Sequence, residues 1–320
     1  MKAAIIAGPG QGPVYGDLPA PTPGNGECRI AVTAAAISPV VKSRASGRHY
    51  SSSGRFPFVV GIDGVGRRDD GSRVYFALPR APYGSMAEHS VVRAAQCLLV
   101  PDGLDDVTAA AIANPGVSSW AALTERARFK AGETVLVNGA TGTAGRLAVQ
   151  IAKYLGAGKV IATGRDIEAL KSVAALGADV TIPLIADGDA LEEAFKEQFA
   201  HGVDVVIDYL WGASAERLLI AAAKAGKDAV PIRFVQIGSV SGAEISLPSA
   251  VLRSSAIELM GSGVGSIPQD RLLRAIGGVL QAAVPGGFQI ATTVVPLSDV
   301  AAAWLRDNSK RRTVFTVAAG

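Results

Sequence analysis

Val135-Leu136-Val137-Asn138 runs directly into Gly139-Ala140-Thr141-Gly142-Thr143-Ala144-Gly145, and that into Arg146-Leu147-Ala148-Val149. No other stretch limits the possible folds as tightly. An apolar run of this length without alternation reads as a strand buried on both faces. Glycines at the spacing G-x-x-G-x-x-G follow at once, and an apolar helical pattern follows them. Strand, glycine turn and helix in that order begin a βαβ unit, so the chain folds around a parallel sheet. Glycine at 142 lets a ligand approach the backbone, and glycine at 145 lets the helix pack closely on the strand. The start of the helix then offers free N–H groups and a partial positive charge to an anion such as a pyrophosphate. A tight turn with no ligand is the alternative reading of the same glycines.

Strands and helices alternate from there. Strands are predicted at Val160–Thr163, Val180–Pro183, Val203–Tyr209, Val230–Ile237 and Ile257–Met260, with a helix at Ile167–Leu176. Ahead of the turn the pattern differs. Short strands are predicted at the N-terminus and at Cys28–Ile37, Phe58–Gly66, Arg73–Phe76, Met86–Val92 and Cys97–Val100, between Gly/Pro turns. Asp106 opens an alanine-rich helix, Asn114-Pro115-Gly116 breaks it, and a second helix runs from about Ser118 to Phe129. After residue 266 come a helix (Gln269–Ala283), a strand (Ile290–Val295), a short helix (Asp299–Arg306) and a strand (Thr313–Val317). This ending resembles the front. The predicted fold class is therefore α/β: a discontinuous β-rich, partly closed barrel from 1–114 and 267–320, and a doubly wound parallel-sheet Rossmann domain over 115–266.

Composition excludes several classes. A 320-residue chain with 49% hydrophobic and 18% charged residues fills two cores and is not disordered. Its net charge of +3 is too small to imply a nucleic-acid partner. Arg67-Arg68 is offset by Asp69-Asp70. Lys310-Arg311-Arg312 reads as a solvated turn before the last strand, with a phosphate contact as the alternative. No apolar run approaches the roughly 18 residues of a membrane span, and the first residues lack a signal sequence's length, so a cytoplasmic protein is expected. Cys28 and Cys97 read as two reduced, half-buried thiols, too few for a zinc ribbon or a disulfide framework.

The second strand of the βαβ unit identifies the dinucleotide. NAD sites place an acid at its end to bind the ribose 2′-OH. Here the strand ends Thr163-Gly164-Arg165-Asp166. Gly164 stands at the acid's place, and Arg165 suits a 2′-phosphate. Asp166 is the rival acid, but it also suits an N-cap for the helix beginning at Ile167. NADPH is the expected cofactor.

Phe56-Pro57-Phe58-Val59-Val60-Gly61-Ile62-Asp63-Gly64-Val65-Gly66, Gly116-Val117-Ser118-Ser119-Trp120-Ala121-Ala122-Leu123, the glycine turn and Ala152-Lys153-Tyr154-Leu155-Gly156-Ala157 together give the chain a family resemblance. It resembles the zinc-free, quinone oxidoreductase type of the medium-chain dehydrogenase/reductase superfamily over nearly its whole length. That resemblance implies a GroES-like β domain, a Rossmann domain and a homodimer paired near Ile257–Met260. Zinc-dependent relatives have Gly-His-Glu where Gly61-Ile62-Asp63 stands and a cysteine near Ser38. His49, His89 and His201 share no ligand spacing, so no metal site is expected.

The resemblance further implies that Ser38 and Lys42 lie in the loop approaching the nicotinamide and that Tyr50 borders the substrate. Ser118, Thr141, Gly142, Thr143 and Ala144 would contact the cofactor, as would Ile237-Gly238-Ser239 and Met260-Gly261-Ser262 after two later strands. Two departures stand out: Ile182-Pro183 replaces a tyrosine common in relatives, and Asp208-Tyr209-Leu210-Trp211 sets two aromatics at a strand end, either shaping a cleft or packing under a loop.

Without a metal, hydride transfer from NADPH to an electron-poor acceptor, a quinone or an α,β-unsaturated carbonyl, is the expected reaction. Tyr50 and Ser38 are the candidate catalytic residues. Tyr50 serves as proton donor or as an aromatic lid, and His49 is a weaker candidate. The alternatives are a metabolite-specific enoyl or enone reductase and a non-catalytic NADPH-binding sensor or RNA-binding relative.

Overall fold

A computed structural model describes residues 1–47, 55–185, 188–307 and 310–317 of the chain. The backbone divides into two compact units, Met1–Pro115 with Val279–Gly320, and Gly116–Gly278. In chain order the elements are β1 (Lys2–Ile6), β2 (Val14–Asp17), β3 (Glu27–Ala36), α1 (Pro39–Ala45), β4 (Phe58–Val59), β5 (Asp63–Arg68), β6 (Arg73–Ala77), β7 (His89–Arg93), β8 (Cys97–Leu99) and α2 (Asp106–Ala121). Then follow β9 (Thr134–Asn138), α3 (Thr143–Tyr154), β10 (Lys159–Gly164), α4 (Ile167–Ala175), β11 (Val180–Pro183), α5 (Gly188–His201), β12 (Val205–Asp208), α6 (Gly212–Ala225), β13 (Ile232–Gln236), α7 (Ser249–Arg253) and β14 (Ile257–Gly261). The last are α8 (Gln269–Ala283), β15 (Thr292–Pro296), α9 (Val300–Arg306) and β16 (Arg312–Thr316).

Unit 1 is GroES-like. A small sheet orders β2-β1-β4, and a larger one orders β15-β16-β3-β5-β6-β8, with β7 also on β3. The closing segment is built into this sheet, because β16 pairs antiparallel with β3 through Val314↔Ala36, Phe315↔Ala35 and Thr316↔Ala34. Ile30, Val32, Val74, Phe76, Val92 and Phe315 fill the core.

Phe58–Gly66 forms two strands where the sequence predicts one. β4 pairs with β1, the chain turns at Gly61 (φ 104°), and β5 then pairs with β3. Position 61 has no room for a side chain, since an added Cβ would collide with the Ser85 hydroxyl. Gly61 is the corner between the two sheets.

Pro115 also behaves differently from the sequence expectation. α2 continues through it and ends in a wider turn over Ala122–Arg126, where the Ala127 N–H reaches the Ala122 carbonyl at 2.8 Å. A proline removes one N–H, and burial of Ala109–Ala113, Ala121 and Ala122 outweighs that loss.

Unit 2 is a Rossmann fold. Six parallel strands stand in the order β11-β10-β9-β12-β13-β14. Val135–Val137 and Val205–Ile207 are fully buried, as expected of strands covered by helices on both faces. From β9 the chain first builds outward through β10 to β11, then crosses to β12 and builds the other way. β9 and β12 therefore flank the point where strand order reverses, the usual ligand position in open α/β sheets.

Candidate functional site

At that reversal point the strand ends carry polar residues. Asn138 closes β9, Asp208 closes β12 and Thr163 is the penultimate residue of β10; all three are fully buried. Thr163 Oγ1 donates to Asn138 Oδ1 at 2.6 Å and accepts the Gly139 N–H at 3.1 Å. Asn138 Nδ2 donates to Asp208 Oδ1 at 2.8 Å and Ser214 Oγ at 3.0 Å. The Asp208 carboxylate accepts the Leu210 N–H at 2.9 Å and the Trp211 N–H at 3.1 Å. Burial raises the Asp208 pKa against the pull of these bonds. One connected polar chain thus holds the glycine turn and the turn after β12.

This second turn is strained. Trp211 has φ 58°, a left-handed conformation costly for a tryptophan. Of the two aromatics here, Tyr209 is buried and Trp211 is half-buried against the core of the Rossmann unit.

The glycine turn has the shape of a phosphate cradle. α3 begins at Thr143, and its N-cap Gly142 has no side chain to cap the first-turn amides. A Cβ added at Gly142 would meet nothing within 4 Å, so the space before the helix is open. At Gly145 the opposite holds. A Cβ there would lie 2.6 Å from Ala140 Cα and closer still to the Gly139 carbonyl oxygen, so helix and turn touch through backbone. These residues fit a dinucleotide pyrophosphate.

Gly164 ends β10 against Thr141, whose methyl occupies the place a side chain at 164 would need. The next residue, Arg165, is exposed and has no hydrogen-bond or ion-pair partner among the described residues. Asp166 is the N-cap of α4, accepting the Ala169 N–H at 3.0 Å. Its carboxylate is committed to the helix, as the capping reading expects.

Other sequence candidates are more dispersed. The Ser118 hydroxyl meets the Tyr209 hydroxyl at 3.0 Å, and burial pushes the Tyr209 phenol up to about 12. Ile237 and Gly238 follow β13, with both N–H groups donating to the Asp208 carbonyl, at 2.7 and 3.1 Å. Ser239 is exposed beyond them. Met260 and Gly261 end the edge strand β14, and the Ser262 N–H continues its ladder to the Gln236 carbonyl at 2.8 Å. Thr141 accepts from Arg146 Nε through its carbonyl at 3.1 Å, and Ala144 lies in the first turn of α3.

In unit 1, Ser38 is buried and acts as the N-cap of α1, accepting the Val41 N–H at 3.1 Å. Lys42 pairs with Asp307 at 2.8 Å. Tyr50 and His49 lie outside the described residues. A cavity of about 610 Å³ opens beside α1, lined by Val41, Arg44, Phe56, Phe58, Ile62 and Tyr83 among others.

Unit 1 also holds a buried polar group with no counterpart in the sequence reading. Burial raises Asp63 to about 6, against the Tyr75 hydroxyl that donates to it at 2.7 Å and the nearby Arg312 charge. Arg312 itself is only 7% exposed. It belongs to β16, bonded to Asn114 Oδ1 at 3.3 Å, so only Lys310 and Arg311 form the solvated turn.

Among the described residues, no three His, Cys, Asp or Glu side chains are placed to hold a metal ion. At the two positions where zinc-dependent relatives would supply ligands stand a capping serine, Ser38, and the hydrocarbon Ile62. These donors do not fit a zinc site. No helix among the described residues is long and apolar enough to cross a membrane.

Comparison with known proteins adds three findings. A family model described as zinc-binding dehydrogenase matches residues 144–276. A probable NADPH-dependent quinone reductase of Emericella nidulans is 30% identical over 347 residues, covering 95% of this chain and 96% of that protein. The solved quinone oxidoreductase of Thermus thermophilus, also studied in complex with NADPH, superimposes with a TM-score of 0.81 at 26% identity, covering 99% of this chain and 100% of the other.

Proposed function

This chain belongs to the quinone oxidoreductase type of the medium-chain dehydrogenase/reductase superfamily, and we propose that it transfers a hydride from NADPH to a quinone or an α,β-unsaturated carbonyl without zinc. The cofactor half of the proposal is carried by one observation: the open glycine cradle at the start of α3, with the exposed Arg165 just past the end of the neighbouring strand. The α3 amides would hold the pyrophosphate. Arg165 would hold the 2′-phosphate, where Gly164 and the capping Asp166 leave no acid for a free ribose hydroxyl.

NADPH, when bound, supplies the hydride. The protein's part is to orient the ring and the acceptor and to exclude water. The polar chain from Thr163 to Asp208 fixes the two turns that would flank the cofactor. The aromatic and aliphatic lining of the unit 1 cavity suits a flat acceptor. Tyr50 and Ser38 remain the proposed side chains near the reacting atoms, with solvent able to protonate a quinol oxygen. β14 is an edge strand of the six-stranded sheet, and a homodimer paired through it accompanies the proposal; light scattering reads this directly, and a monomer refutes it.

The test is cofactor oxidation by purified protein with no added metal, using an ortho-quinone and an acyclic enone in separate cuvettes, each with NADPH and with NADH. Turnover that prefers NADPH is expected. Arg165→Ala removes one charged hydrogen-bonding partner, worth roughly 1.5–3 kcal/mol, so NADPH affinity should fall by about one to two decades. NADH affinity and the melting temperature should stay unchanged, because Arg165 has no partner among the described residues. Equal losses for both cofactors would sink the assignment.

A further inference from the structure

Cys28 and Cys97, the two cysteines of the sequence, meet in unit 1 with their Sγ atoms 3.4 Å apart. The backbone brings them together. Glu27 pairs with Arg93 across β3 and β7, and the Ala94 N–H donates to the Gly26 carbonyl at 3.0 Å. A three-residue turn, Ala94–Gln96, then returns the chain so that β8 starts at Cys97, beside Cys28. Both cysteines are half-buried. Burial, and then hydrogen bonding to Cys28, push the Cys97 thiol up to about 12. Cys97 is therefore the protonated partner.

We propose that this pair is a redox modification site: two-electron oxidation by hydrogen peroxide closes a Cys28–Cys97 disulfide that ties the start of β3 to β8. The Cys28 thiolate attacks a peroxide oxygen. The O–O bond breaks, leaving Cys28 as a sulfenic acid, and the departing oxygen takes a proton to leave as water. Cys97 then attacks that sulfur, its proton going to the leaving oxygen. The S–O bond breaks and a second water departs. Two thiols lose two electrons in all, and one peroxide becomes two waters. The sulfurs need to close from 3.4 Å to about 2.0 Å. The link spans 69 positions of sequence, so it restrains a long stretch of the unfolded chain.

Reduced full-length protein treated with a few equivalents of hydrogen peroxide tests this by intact mass under non-reducing conditions. The monomer should lose about 2 Da with both thiols consumed, and its unfolding midpoint should rise by at least ~5 °C. Dithiothreitol should reverse both changes. With only two cysteines in the sequence, that mass loss in a monomer has one assignment. Gains of about 16 or 32 Da without the loss, or disulfide-linked dimers in its place, would overturn the proposal. Cys97→Ser lacks the resolving thiol and should stop at those oxygen adducts; reversible stabilisation of this variant by peroxide would equally overturn it.

Discussion

Asp208→Ala probes the polar chain at the sheet's reversal point. The carboxylate is fully buried and accepts from Asn138 Nδ2, the Leu210 N–H and the Trp211 N–H. Each hydrogen bond to a charged group contributes about 1.5–3 kcal/mol, so three amount to roughly 4.5–9 kcal/mol before offsets. Two offsets reduce that sum. The raised pKa of Asp208 means that burying the charge already carries a cost in the native protein, and Asn138 keeps its second bond to Ser214. Leu210 and Trp211 are half-buried, so water can reach their amides in the variant. The net loss expected is about 3 kcal/mol, or a melting temperature roughly 6–12 °C lower. Thermal unfolding with and without NADPH is the assay. Cofactor affinity should fall as well, because the Trp211 turn loses the bonds that hold it at φ 58°. An Asn138→Ala and Asp208→Ala double-mutant cycle should show coupling of about 1 kcal/mol or more. A variant melting within ~1 °C of the parent and binding NADPH normally would refute the idea that these bonds hold the turn.

Gly145→Ala drives a Cβ into the Gly139–Ala140 backbone and should cost about 1–3 kcal/mol while weakening NADPH binding; a stable, fully binding variant would contradict the close packing of α3. Asp63 has a folded pKa of about 6, above the ordinary 3.8, chiefly through burial. Native protein therefore holds the Asp63 proton more tightly than the unfolded chain, and the stability this provides below pH ~4 is lost as pH rises through ~6, by about 3 kcal/mol in all. Asp63→Asn escapes this loss, so its stability relative to the parent should climb across pH 4–6 and level off near 7. A difference that stays flat over that range in urea titrations would show that Asp63 is not held neutral by its surroundings.

The parallel-sheet half was legible in sequence because its central strands β9 and β12 are buried on both faces. Val180–Pro183 and Gln269–Ala283 appear with the predicted bounds, and the glycine turn and the Asp166 cap were readable from local order alone. In the β-rich half, one apolar run, Phe58–Gly66, hides a corner whose cause, the nearness of Ser85 to Gly61, lies 24 positions along the chain. Pro115 reads as a breaker because its buried surroundings are not local information. The Asn138–Thr163–Asp208 chain has one faint signal, polar residues at or next to the ends of otherwise apolar strands. Its bonding joins strands that only the sheet order sets side by side. Arg312, in a basic cluster, and Cys28 with Cys97, each alone in its segment, depend on tertiary placement in the same way.

The pairing of β16 with β3 bears on the order in which the chain can fold. Unit 2 is continuous from 116 to 278 and has all its strands once that stretch exists. β3 must wait for Val314–Thr316 to cover the edge at Ala34–Ala36. Closing so long a loop is slow even though its entropic cost grows only with the logarithm of its length. During synthesis the β3 edge therefore stays open while unit 2 is completed, and that interval is when this chain is most exposed to mispairing and aggregation.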